Sequence, residues 1–81
     1  MNFTQRQKTI LERLRIDANA EDTILLNELI SGRVVIGDIG HLVDLINNEY
    51  LMKGITEEYE PTDYGNELLA LRDIVNEPRL R

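Results

Sequence analysis

Cysteine does not occur in this chain, which excludes a disulfide framework, a thiolate nucleophile and a sulfur-ligated zinc. Tryptophan is also absent, and Phe3 is the single phenylalanine. Only two prolines, Pro61 and Pro78, interrupt the chain, so most of it is free to be helical. No apolar run comes near the ~20 residues needed to cross a bilayer, and the polar start has none of the apolar core of a signal peptide. A cytoplasmic protein without a membrane partner is therefore expected. Eighty-one residues make one domain, 1–81, with a small interior. Cation is the scarcer sign of charge, and the net charge is −6. An acidic surface repels phosphate backbones, so nucleic acid is not an expected partner. The distribution is uneven. Arg6, Lys8, Arg13 and Arg15 crowd the start, Arg79 and Arg81 the end, and every acid except Glu12 lies between Asp17 and Glu77.

What is abundant is helical period. From Asp38 to Lys53, Ile39, Leu42, Val43, Ile46 and Tyr50 recur at three- and four-residue steps and share one side of an α-helix, with Leu45 and Met52 as a second row beside it. So broad an apolar surface needs several covering partners. Three other segments can supply them. Thr4-Gln5-Arg6-Gln7 has capping-box spacing and opens a helix to about Asp17, with Phe3, Ile10, Leu11, Leu14 and Ala18 inward. A helix from about Ala20 to Ser31 turns Leu25, Leu26, Leu29 and Ile30 inward, and Gly32 fits its stop. The last runs from about Asp63 to Asn76 on the ladder Tyr64, Leu68, Leu71, Val75, with Ile74 at its edge, and Glu77-Pro78 ends it. Arg79-Leu80-Arg81 reads as a frayed tail. The fold class is all-α: a small four-helix, bundle-like domain with the third helix central.

Between the second and third helices, Arg33 to Gly37 is rich in β-branched residues, but a lone short strand cannot satisfy its backbone. An extended linker leading to an Asp38 cap is expected, with a short bridge between two copies as the alternative. At the other end, Gly54 should close the third helix with a Schellman turn that brings Tyr50 and Ile55 together.

Few residues carry chemistry. His41, the single histidine, stands three residues from both Asp38 and Asp44. That spacing can present metal donors on a helix, but the two carboxylates diverge in angle, so a margin histidine is the reading and no metal is expected. The helix, turn, helix order over 20–53 invites comparison with a DNA reader. Asp38, His41 and Asp44 in the first turns of the third helix are the wrong chemistry for phosphate. Gly37 and Gly40 form a lone G-x-x-G outside any phosphate-loop context. No nucleophile, base and orienter set exists, and Glu57 and Glu60, as a paired acid and base, lack the desolvation that would separate their roles. Neither an enzyme nor a cofactor is expected. The basic first helix can be read as a membrane or acidic-partner surface, yet cations split over two margins suit methylene stems laid on the core edge.

The most unusual stretch is Thr56 to Asp63, TEEYEPTD. Glu57, Glu58, Glu60 and Asp63 surround Tyr59 with no cation among them, and Pro61 stops any helix. One reading is a solvated connection whose Thr62 or Asp63 caps the last helix. The other is a recognition loop. Tyrosine supplies rigid apolar area with a hydroxyl, and clustered carboxylates speed encounter with a basic protein surface. Its mix of acids and tyrosine is similar to the surfaces with which small bacterial immunity proteins and antitoxins cover nuclease toxins. The expectation is thus an acidic protein-binding module of inhibitor, immunity or antitoxin type, with Glu57, Glu58, Tyr59, Glu60 and Asp63 as the contact. The alternative is a structural or regulatory homo-oligomer, for instance a homodimer, working through the apolar residues off the inward rows, Ile24, Leu51 and Leu69.

Overall fold

A computed structural model of the chain describes residues 3–33 and 35–80, the last two by their backbone alone. Among them the elements are four α-helices, α1 (Gln5–Asp17), α2 (Ala20–Ile30), α3 (Ile36–Lys53) and α4 (Asp63–Asn76), and a 3-10 turn over Glu77–Leu80. Local chemistry accounts for most of the starts. Thr4 Oγ1 accepts from the Gln7 amide while the Gln7 side chain accepts from the Thr4 amide, a closed capping box. Asn19 accepts from the Asp22 amide at the head of α2, and Thr62 from the Gly65 amide at the head of α4.

The stop after α2 is built as expected. Gly32 has φ 77, its amide bonds to Leu29, and the Arg33 amide reaches back to Glu28. That pair of bonds is a Schellman turn, and only Gly takes its left-handed position without steric strain. The start of α3 differs from expectation. The helix begins at Ile36, with extended Val35 as its N-cap and no side-chain cap, so Asp38 lies inside the first turn rather than ahead of it. Its amide already bonds to the Val35 carbonyl at 2.9 Å. Val35 keeps the extended backbone its β-branched side chain favours, while Ile36 joins the helix that carries Ile39 and Leu42 into the core, tertiary context overriding its propensity. Val34, and with it the choice between linker and strand, lies outside the described residues.

The core is the one the periodicities imply: Ile10, Leu11, Leu26, Leu29, Ile39, Leu42, Ile46, Leu68, Leu71 and Val75 are buried, with Phe3, Leu14, Leu25, Ile30, Val43, Tyr50 and Tyr64 packed at its margin. α3 and α4 form the most extensive helix pair, α1 and α2 the second, and slimmer contacts of α1 with α4 and of α2 with α3 join the two pairs. Met52 leaves the expected apolar row and is 77% exposed in the last turn of α3. The backbone of the tail wraps back in its 3-10 turn against α3 and α4.

Candidate functional site: the joint between α3 and α4

Glycine decides how close α3 and α4 come. Gly54 follows α3 and is buried; it keeps a right-handed backbone, φ −98, so the Schellman turn expected there does not form. Its use is proximity. A Cβ on Gly65, in the first turn of α4, would lie 1.9 Å from the Gly54 carbonyl oxygen, and one on Gly54 would meet Gly65 Cα at 3.0 Å. The two helix ends therefore touch backbone to backbone. Thr62 locks the contact, because its amide and hydroxyl both donate to the Gly54 carbonyl, at 2.9 and 3.1 Å, while the hydroxyl oxygen accepts from the Gly65 amide at 3.0 Å.

The chain between Gly54 and Thr62 has to return within a few ångströms of where it left, so it folds as a narrow hairpin. Ile55 and Pro61 face each other in an antiparallel bridge, and the Thr56 amide donates to the Glu60 carbonyl at 2.8 Å. The Tyr59 amide closes a turn on the Thr56 carbonyl at 3.0 Å, and the Glu60 amide donates to Thr56 Oγ1 at 3.3 Å. A turn followed by one left-handed residue is a usual three-residue hairpin loop, and Gly normally takes the left-handed place. Here the place belongs to Tyr59, at φ 65, with its side chain 83% exposed.

Beneath the hairpin lies a polar staple that sequence reading missed. Glu49 faces inward from α3 and is only 8% exposed. The Tyr64 hydroxyl donates to its Oε2 at 2.6 Å, and Lys53 stands 3.7 Å from its Oε1. The Arg13 guanidinium of α1 sits 5.6 Å from the centre of the Tyr64 ring. Burial, with the bond to the Glu49 carboxylate, pushes the Tyr64 hydroxyl up to about 12. It stays protonated and able to donate throughout the physiological range.

All five expected contact residues, Glu57, Glu58, Tyr59, Glu60 and Asp63, are exposed on or beside this joint. Among the described residues no cation pairs with any of the four carboxylates. Most of the described cations are engaged elsewhere: Arg6 on Glu67, Arg13 over the Tyr64 ring, Arg15 on Asn27, Lys53 on Glu49, and Arg72 on Asn47 and Asp73. The joint thus presents like charges around an aromatic ring, held on a hydrogen-bonded frame.

His41 works apart from this region. Its Nε2 pairs with Asp22 of α2 at 2.5 Å, not with Asp38 or Asp44 as the spacing alone suggests. The bond to Asp22, working against a loss of hydration and supported by the charges of Asp22, Asp44 and Glu21, raises the imidazole above its ordinary 6.5. No group of three acidic or histidine side chains converges to hold a metal among the described residues. No described helix is long and apolar enough to cross a membrane. A cleft of about 180 Å³ between α1 and α4, lined by Thr4, Gln7, Ile10 and Ala70 and bridged by the Arg6–Glu67 pair, is smaller than the usual small-molecule site. Comparison of the chain with protein-family models, with curated proteins and with solved structures finds no match.

Proposed function

We propose that the protein is an acidic binding module that covers a basic surface of another protein with the α3–α4 hairpin, using Tyr59 as the anchor and Glu57, Glu58, Glu60 and Asp63 as the charged rim. One observation carries the reading: a large aromatic side chain, 83% exposed, occupies a left-handed backbone position that glycine or asparagine would fill with less strain. Non-glycine residues in such positions cost on the order of 1–2 kcal/mol and cluster where a surface is put to use. A rigid turn also lowers the entropy lost when a partner binds. Unpaired carboxylates around it add steering toward positive charge. Covering a basic site on a partner is the work of inhibitors, and it needs no catalytic group here.

Affinity capture from a cell extract tests the proposal. The wild-type chain should retain a basic protein that Tyr59→Asn and the triple change Glu57→Lys, Glu58→Lys, Glu60→Lys both lose, with helical circular dichroism unchanged in each. Equal capture by all three would overturn it. The second reading, a homo-oligomer, draws support from Ile16 and Ile24, 80% and 58% exposed. It requires a dimer at micromolar concentration that survives high salt in sedimentation, and a monomer there removes it.

A further inference from the structure

Leu51 and Met52 are 63% and 77% exposed in the last turn of α3, just ahead of the joint that carries Tyr59. Helical rise places them about 3–5 Å along the axis from Gly54. On the helix circumference they flank Asn48, opposite the side that buries Ile39, Leu42 and Ile46. Tyr59 is tied by its amide to Thr56, two residues beyond Gly54. Three large exposed apolar side chains therefore fall in the last turn of α3 and the hairpin that follows it, with Glu57, Glu58 and Glu60 in that hairpin.

The two kinds of group limit what can cover them. A purely cationic chain would pair with the carboxylates and leave Leu51 and Met52 in water. A purely apolar one would strip water from unpaired carboxylates and give them no partner in return. Resting on the binding role proposed above, we infer that this end of the molecule receives a cationic amphipathic segment of another protein. Its apolar side chains pack on Leu51, Met52 and Tyr59, and its lysines or arginines meet Glu57, Glu58 and Glu60.

Among the described residues a second copy of the chain offers no such segment. The arginines of α1 are held at home, Arg6 by Glu67, Arg13 over the Tyr64 ring and Arg15 by Asn27. Among the described residues only Lys8 and Arg33 have side chains without such a contact, and they are single cations on different elements.

Two synthetic peptides of equal length and charge test the inference, one of lysine and leucine in amphipathic order, the other of lysine and serine. At physiological salt the lysine–leucine peptide should move the amide resonances of residues 51–60 and bind roughly tenfold more tightly than its serine counterpart. The variant Leu51→Ser/Met52→Ser should lose that advantage while its affinity for the lysine–serine peptide is unchanged. Changing Glu57, Glu58 and Glu60 to Gln should weaken both peptides. Equal binding of the two peptides overturns the apolar part and leaves the acidic hairpin as a site for basic surfaces. Binding of neither at residues 51–60 overturns both. Resonances in 51–60 that shift when the free chain is diluted identify a second copy as the occupant and overturn the inference.

Discussion

The joints on either side of α3 solve the same problem with opposite means. Each turns the chain back through a left-handed residue, Gly32 after α2 and Tyr59 after α3. At the first, Gly32 has open space around it and stands in a Schellman turn, so the residue type follows from backbone geometry alone. At the second, two glycines are used for proximity and the left-handed place goes to a bulky aromatic. The first joint is shaped for folding. The second is over-built, with a backbone clasp, a hairpin and a buried carboxylate staple, and over-building is what lets a strained residue persist.

If the clasp is the rigid part of the second joint, the largest effect belongs to Gly65→Ala. Its new Cβ would fall 1.9 Å from the Gly54 carbonyl oxygen, and backbone cannot yield as a side chain can. Urea denaturation should show a loss of about 3 kcal/mol, and a loss under ~1 kcal/mol would mean that the helix ends are not fixed against each other. Next comes Tyr64→Phe. Removing the hydroxyl leaves Glu49 Oε2, 2.6 Å away, without its donor in a place only 8% exposed. The loss should be about 2 kcal/mol by the same measurement. Lys53, at 3.7 Å and half exposed, offsets little of it.

The two left-handed residues give paired predictions of opposite sign. Gly32→Ala meets nothing within 4 Å, so only its φ of 77 opposes the change, and stability should fall by about 1 kcal/mol. Tyr59→Asn relieves a φ of 65 and should raise stability by about 0.5 kcal/mol. A fall on Tyr59→Asn would show that the ring packs usefully on its own chain, which is the outcome most damaging to a binding role.

Helices and core were legible because both are periodic. The ladder Tyr64, Leu68, Leu71, Val75 and the Thr4–Gln7 box sit in the sequence at the spacings the structure uses. The hairpin residues could be singled out by composition, since four acids around a tyrosine have no helical purpose. What escaped reading is what two distant segments make together. Glu49 looks like a surface acid until Tyr64, fifteen positions on, arrives from α4 to bond it. Gly54 looks like a helix stop, and only the approach of Gly65 shows that it is a contact. The left-handed Tyr59 follows from that contact, because closing 54 against 62 dictates a short hairpin whatever residue occupies its turn. Asp38 has the chemistry of a cap but sits in the first turn, because α3 starts at Ile36 within a β-branched run that gives no helix-start signal.

The smallest effect belongs to the first joint and concerns pH. His41 of α3 reaches Asp22 of α2 across nineteen positions, an ion pair with the imidazole 53% exposed and the carboxylate 13% exposed. Asp22, Asp44 and Glu21 hold the folded-state imidazole above 6.5, its ordinary value. A proton is therefore bound more tightly in the folded chain than in the unfolded one. The resulting stability is fully present below about pH 6.5 and is lost as pH rises through the higher folded-state value. The melting temperature of the wild type should thus drop slightly between about pH 6 and pH 9, and that of His41→Gln should not follow it. The imidazole resonance should titrate above 6.5 in the wild type and move down in Asp22→Asn. Because α2 touches α3 far less than α4 does, this pair is one of few ties across the first joint. A flat profile in the wild type would make the contact of α2 with α3 purely apolar, and the contrast between the two joints sharper still.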